Sequence, residues 1–102
     1  MARKTIERIG TVKILGREYR VSRVNTITHN TNTNQVYEGF ISHDNRAIYV
    51  SRLAQLRTED ELLLHEILHG VVAALGVEAN EQSVASIARG LWAAGVRWQK
   101  RG

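Results

Sequence analysis

The residues of this chain best suited to chemistry are His65, Glu66 and His69, which form the pattern H-E-x-x-H. On a helix, two histidines four positions apart are about one turn apart, so both imidazoles emerge from one face and can reach one ion. Glu66 is then rotated roughly 100° around the helix, which places its carboxylate beside the metal rather than on it. There it is positioned to take a proton from a zinc-bound water. The pattern therefore predicts a zinc site with an adjacent general base.

The remaining ligands must be histidines or carboxylates, because the chain has no cysteine. The only other histidines are His29 and His43, and both fall in polar stretches where a solvent-exposed position is expected. A catalytic zinc site needs three protein ligands and an open position for water. One ligand is therefore still to be found outside the motif.

The third ligand is expected to be a carboxylate that follows the motif. No histidine follows His69, and Val72 stands where metzincins carry a glycine. Glu78 and Glu81 are the only acids after the motif. Glu81 is favoured, because it shares a face with the apolar residues of a predicted second helix and should point toward the first helix. Glu78 falls in the connection and remains the alternative.

The elements that must position these groups are predicted from patterning. Residues 11–50 indicate a sheet of about four strands, antiparallel or mixed. A first hairpin covers 11–25 with a turn at Gly16 and Arg17, and a second joins 36–41 to 47–50 through 42–46. The polar stretch 25–35 between them is expected to be an exposed connection.

Two helices complete the predicted α+β domain, which spans residues 1–102 as one unit. The metal-binding helix covers 58–75, with a capping box from Thr58 to Glu61 and a stop at Gly76. It is apolar almost all round, so it should be buried, where three unpartnered polar groups would cost several kcal/mol. A second helix is expected over 80–98. Its predicted inner side consists of Val84, Ala85, Ile87, Ala88, Leu91 and Trp92.

These residues resemble a known family. The metal motif, followed by Glu81-x-x-Val84-Ala85-x-Ile87-Ala88 and preceded by Gly39-x-Ile41, a polar turn and Ile48-x-Val50, is similar to the small gluzincins, in particular ImmA/IrrE-type metallopeptidases and short phage-encoded relatives. The resemblance covers roughly residues 36 to 95. Val84 and Ala85 depart from it, since the family more often has Ala and Asn there.

The resemblance implies a zincin-like fold and zinc-dependent hydrolysis of a peptide or protein substrate. It implies that His65, His69 and Glu81 bind zinc and that Glu66 is the general base. It also implies that the strand over residues 47–50 is the sheet edge along which an extended peptide pairs. The oxyanion-stabilising group is not identified: Arg89, Arg97, Lys100 and Arg101 follow Glu81, and Tyr37, Tyr49 or His43 are candidates from the sheet.

The charge distribution supports an alternative function. The net charge is +4, residues 1–23 hold seven bases and two acids, and residues 58–81 hold six acids and no base. A zinc-stabilised, non-catalytic module would use this basic half to bind nucleic acid or a host protein. The bases are dispersed and lack interleaved aromatics, which favours an ordinary solvated face. No apolar run is long enough for a membrane span and no secretory signal is recognisable, so a cytoplasmic protein is expected.

Overall fold

A computed structural model describes residues 6–25, 27–28, 36–52 and 58–97, and it has an α+β fold. Four strands form a mixed sheet: β1 (Ile6–Ile14), β2 (Arg17–Val24), β5 (Gly39–Ser42) and β6 (Ala47–Ser51). Their order is β1-β2-β6-β5, with β2 parallel to β6 and the other neighbours antiparallel. The predicted α+β class and the sheet of about four strands are confirmed.

The first hairpin forms, but its turn lies one residue earlier than predicted. Ile14 pairs with Arg17, so Leu15 and Gly16 are the central turn residues, with φ values of 47° and 83°. A two-residue turn with positive φ at both positions matches the twist of the flanking strands. Strand β1 also begins before the predicted residue 11, because a bulge between Arg8 and Gly10 lets the pairing continue to Ile6.

The second predicted hairpin is shorter than expected. Only β5 and β6 form it, joined through residues 43–46, whereas Val36–Tyr37 is a separate short strand, β4. Strand β4 pairs with β3 (Ile27–Thr28), so the predicted connection over 25–35 contributes a strand to a second, two-stranded sheet. The prediction failed because that pairing depends on a partner outside the polar stretch. His29 lies outside the described residues.

Helix α1 (Glu59–Leu75) is capped as the sequence predicts. The Thr58 hydroxyl accepts a hydrogen bond from the Glu61 amide at 3.2 Å. At the other end Gly76 has φ 69°, and the amides of Gly76 and Val77 donate to the carbonyls of Ala73 and Val72. The expected burial is only partly observed, since Leu75 is 60% exposed. Val71 is the last residue of α1 that packs against the core, so the final turn extends past it.

Helix α2 (Glu81–Ala93) ends five residues before the predicted residue 98. Its start is as predicted, because the Asn80 side chain accepts a hydrogen bond from the Ser83 amide at 2.8 Å. It ends where Gly95 takes φ 95° and its amide donates to the Trp92 carbonyl. Val84 and Ala88 are buried, whereas Ile87 is 52% exposed, so the inner side of α2 is narrower than predicted. Within the described ranges, neither helix has the length and apolar character to cross a membrane.

The core lies between α1 and one face of the sheet. Leu62 and Leu63 of α1 pack against Val21, Ile48 and Val50, and all five are almost completely buried. Farther along the helix, an added Cβ at Gly70 would lie 2.7 Å from the Ile14 Cδ1 atom and 3.0 Å from the Ile41 Cδ1 atom. A side chain at this position would therefore displace the terminal methyl groups of Ile14 and Ile41, which pack against α1 here.

An ion-pair cluster ties the start of α1 to the sheet. Arg23 of β2 donates to both carboxylate oxygens of Glu59, at 2.6 and 2.9 Å, and also to Glu7 of β1 at 3.1 Å. Arg52 donates to the same Glu7 oxygen at 3.0 Å. The hydrogen bonds to Glu59 raise the pKa of Arg23, and those from Arg52 and Arg23 lower the pKa of Glu7. The cluster therefore anchors the N-terminal end of α1, the helix that carries the metal motif.

The close packing at Gly70 predicts a measurable loss of stability. Gly70→Val should lower the free energy of unfolding by about 1–3 kcal/mol, because the branched side chain would overlap Ile14 and Ile41. The matched control is Gly90→Ala in α2, where an added Cβ meets nothing within 4 Å. That variant should be more stable by about 0.5–1 kcal/mol. Urea denaturation measures both, and a Gly70→Val protein as stable as wild type would contradict the packing.

The Glu7 cluster predicts a pH-dependent contribution to stability. Because the pKa of Glu7 is lower in the folded than in the unfolded chain, its contribution is complete above the ordinary value of 4.5. It is lost as the pH falls through the lowered, folded-state pKa. The difference in melting temperature between wild type and Glu7→Gln should therefore shrink on going from pH 7 to pH 3. A difference that stays constant over this range would show that the carboxylate is not held by Arg52 and Arg23.

Candidate metal centre

The structure brings His65, His69 and Glu81 together at the junction of the two helices. The histidines lie one turn apart on α1, with ring centroids 4.8 Å apart. Glu81 is the first residue of α2, and the Asn80 cap fixes where that helix starts. The five residues between the helices are short enough to place the Glu81 carboxylate opposite both imidazoles. Helix spacing supplies two of the groups and helix capping supplies the third.

The three side chains converge at close range. The Nε2 atoms of His65 and His69 are 3.1 Å apart. Each faces a different oxygen of Glu81, at 2.6 Å from His65 Nε2 to Oε1 and 2.7 Å from His69 Nε2 to Oε2. The carboxylate therefore faces both imidazoles with one oxygen each.

The burial of the cluster is uneven. The side chain of His65 is 4% exposed and that of His69 is 27% exposed, whereas Glu81 is 68% exposed. A buried imidazole without a polar partner would cost roughly 1–3 kcal/mol, and the Glu81 carboxylate is such a partner for His65. Glu81 reaches it from the solvent side. The cluster is anchored in the core at one end and open at the other.

These residues fit a divalent ion that prefers nitrogen and oxygen ligands. Ligand atoms from all three residues lie within 4.8 Å of one another, so the cluster could hold one metal ion. Two nitrogens bound to a tetrahedral zinc ion at about 2.0 Å are separated by about 3.3 Å, close to the separation of the two Nε2 atoms. The contacts with Glu81 have hydrogen-bond length, which is the interaction the same groups make without an ion.

The cluster opens into a cleft of about 1160 Å³. The residues that line this cleft include Gly39, His43, Glu66, His69, Glu78 and Glu81. Glu66 is only 7% exposed, and an added Cβ on Gly39 of β5 would lie 2.8 Å from its Oε2 atom. The carboxylate predicted to be the general base is therefore held between α1 and the backbone of strand β5. The glycine at position 39 is the residue that makes this approach sterically allowed.

Glu78, the alternative third ligand, lines the cleft but is not part of the three-residue cluster. It is exposed and lies in the connection between the helices. Glu81, and not Glu78, therefore lies within contact distance of both histidines.

The predicted candidates for an oxyanion donor lie in different places. His43 lines the cleft from the turn between β5 and β6. Tyr49 lies on the face of the sheet opposite α1, because its neighbours Ile48 and Val50 enter the core. Arg89 contacts Glu61 at 3.7 Å and Arg97 lies over the ring of Trp92, so both are engaged outside the cleft. Two residues, Lys100 and Arg101, lie outside the described part of the chain, as does the side chain of Tyr37.

The resemblance implies that residues 47–50 form the edge strand of the sheet, and this prediction is wrong. Strand β6, which covers residues 47–50, is internal, because it pairs with β2 on one side and β5 on the other. The edge beside the cleft is β5. Because β6 pairs in parallel with β2, it lies in the middle of the sheet. The turn between β5 and β6 then places β5 on the other side of β6, at the edge.

Sequence reasoning did not identify Gly39 as a site residue. The signal was a glycine inside an apolar, strand-forming stretch, which often marks a close approach of another group to the backbone. Here that group is the carboxylate of Glu66.

The chain matches no known protein family, and neither a curated protein nor a solved structure shows significant similarity to it. The resemblance to small gluzincins therefore depends on the residues of the motif and their arrangement.

The cluster predicts stoichiometric metal binding. We expect one zinc ion per chain, with binding lost in His65→Ala, His69→Ala and Glu81→Gln. At free zinc 100-fold above Kd, the ion should raise the free energy of unfolding by about 2.7 kcal/mol. Isothermal titration calorimetry and thermal melts with and without a chelator measure both effects.

Glu78→Gln is the matched control, because it removes a neighbouring carboxylate that is not in the cluster. It should bind zinc as wild type does. Equal losses in Glu78→Gln and Glu81→Gln would show that binding reflects general negative charge and not the three-residue site.

Proposed function

We propose that this protein is a zinc-dependent metallopeptidase in which His65, His69 and Glu81 hold the ion and Glu66 is the general base. The observation that supports this most directly is the convergence of both Nε2 atoms on the Glu81 carboxylate, at 2.6 and 2.7 Å. The cluster opens into the same cleft as Glu66. A ligand set and a base thus adjoin a space large enough for a peptide.

The roles follow from the position of each group. When bound, zinc lowers the pKa of its water toward about 7 and polarises a carbonyl. Glu66 takes the proton that water gives up as it attacks the peptide carbonyl, and passes it to the leaving amine. Its buried carboxylate is held in place by α1 and by the close backbone of Gly39. His65 and His69 would hold the ion beside this base, because one helix carries all three.

The substrate in this proposal is an extended peptide that pairs with β5. Among the described strands it has a neighbour, β6, on one side only, and it lines the cleft. An edge strand offers backbone donors and acceptors to an added strand, which orients a peptide without demanding a particular sequence. A peptide carbonyl would then pass alongside Glu66 and His69. Residues 39–42 replace residues 47–50 as the proposed substrate-pairing strand.

The arrangement also supports a zincin-like fold as a proposal. A mixed sheet lies against the helix that carries the motif, the edge strand borders the cleft, and a second helix contributes a glutamate. Apart from the identity of the edge strand, those are the relations that the resemblance to small gluzincins implies.

The decisive variant is Glu66→Gln, which keeps the size of the side chain but cannot accept a proton. Peptide cleavage should fall by about a hundredfold or more, while zinc binding remains, because Glu66 is not a ligand. Cleavage of denatured casein and of a quenched-fluorescent peptide library, with products mapped by mass spectrometry, measures the activity. Glu78→Gln should cleave at the wild-type rate, and chelated protein should regain activity when zinc is restored.

Two outcomes would contradict the proposal. Cleavage that survives Glu66→Gln would remove the glutamate from the chemistry. Zinc-loaded wild type that cleaves none of these substrates would favour the alternative, a zinc-stabilised binding module.

A further inference from the structure

The face of the four-stranded sheet that points away from α1 has its own surface chemistry. Side chains alternate along a strand, so a residue between two core residues points to the opposite face. Arg20 lies between Tyr19 and Val21, both buried, and Tyr49 lies between Ile48 and Val50, both buried. This surface, the outer face, is therefore distinct from the face that packs against the metal helix.

Pairing register aligns basic and aromatic residues in rows across the outer face. Arg8 pairs with Ser22, Ser22 with Tyr49, and Tyr49 with Phe40, so one row runs across all four strands. Arg20 lies two positions from Ser22 on β2 and belongs to the next row along. Bases from the N-terminal half and aromatics from the second hairpin, distant in sequence, become neighbours on one surface.

The aromatic end of the row is accessible. Phe40 is 40% exposed and Tyr49 is half-buried. Their rings stack with centroids 6.5 Å apart and an interplanar angle of 24°. A pair of nearly parallel rings at the edge of a sheet presents flat apolar surface that is costly to leave in water. Such a surface suits another planar ring.

The basic part of the outer face is also available. Arg8, Lys13 and Arg20 are exposed, and none of them forms an ion pair with a carboxylate among the described residues. Glu18, opposite Lys13, is the only acid among the described strand residues that point to this face. Arg20 donates to the Asn45 carbonyl at 3.3 Å, which holds its guanidinium beside the turn between β5 and β6. The net charge of the outer face is positive.

We propose that the outer face binds a single-stranded nucleic acid, with bases stacked on Phe40 and Tyr49 and phosphates contacted by Arg8 and Arg20. Single strands expose the faces of their bases, which a duplex hides, and aromatic rings on an open sheet recognise them. A membrane surface or an acidic protein would also use the positive charge, but neither presents planar bases and phosphates along one repeating chain. Arg8, Arg20 and Tyr49 lie across the sheet from the metal cleft, whereas Phe40, on the edge strand, also borders that cleft. The proposed binding is a second function beside the proposed peptidase activity.

Fluorescence anisotropy with labelled oligo-uridine and oligo-thymidine of about 12 nucleotides tests the proposal, using the full-length, zinc-loaded protein. Two or three phosphate contacts predict that affinity falls about tenfold between roughly 50 and 200 mM salt. Phe40→Thr and Tyr49→Thr should each weaken binding about five- to tenfold, whereas Tyr49→Phe should bind normally. Arg20→Glu should weaken it by a similar factor.

The matched control is Arg17→Glu. Arg17 is exposed and lies on the same strand as Arg20, but it points to the α1 side, where it lines a cavity with Ile14 and Gly70. It changes the net charge by the same amount and should leave binding at the wild-type level. Circular dichroism and zinc content establish that each variant is folded. Glu66→Gln should bind normally, which separates this result from the peptidase test.

Several results would overturn the proposal. Equal weakening by Arg17→Glu and Arg20→Glu would mean long-range attraction and not a site. Unchanged binding in both Phe40→Thr and Tyr49→Thr would remove the stacking, and preference for duplex over single strands would do the same. No anisotropy change at low salt would leave an acidic protein as the partner that the positive charge fits.

Discussion

The close approach of helix α1 to the sheet is the constraint on which the rest of the structure depends. Leu62 and Leu63 are almost completely buried against the sheet, and Gly70 lets the helix stay close as it crosses β1 and β5. His65 and Glu66 lie between these contacts and are consequently buried. A site built on a helix that the core holds rigidly keeps its geometry without help from flexible loops.

The local part of this arrangement could be predicted from the sequence. Thr58, Gly76 and Asn80 act through hydrogen bonds within a few residues, so the start and end of α1 and the start of α2 follow from the chain itself. The spacing of His65 and His69 fixes their common face in the same way. Glu81 could be favoured as a ligand because it shares a helix face with the apolar residues Val84 and Ala88.

The non-local part could not be predicted. The parallel pairing of β2 with β6 joins residues 20–24 to residues 47–51, and no pattern in either strand specifies that partner. This one pairing decides that β5 is the edge, and it also aligns Arg8 with Tyr49 and Phe40. In sequence the bases lack interleaved aromatics, but the sheet brings bases from β1 and β2 onto the same surface as aromatics from β6 and β5. The bases of the N-terminal half also lie on both faces of the sheet. Arg23 points to the α1 side, where it binds Glu59, whereas Arg20 points to the opposite face.

The position of Glu81 at the start of α2 has a thermodynamic consequence. Two donors of the cluster belong to α1, but the third belongs to a helix whose described buried contacts are few, chiefly Val84 and Ala88. An ion bound by all three residues therefore joins α2 to α1, and its affinity includes the free energy of docking the two helices. By reciprocity, docking of α2 on α1 raises the affinity for the ion by the same factor by which the bound ion favours docking. A change that loosens α2 therefore lowers the affinity for the ion. The junction between the helices would report metal occupancy to any partner that contacts α2.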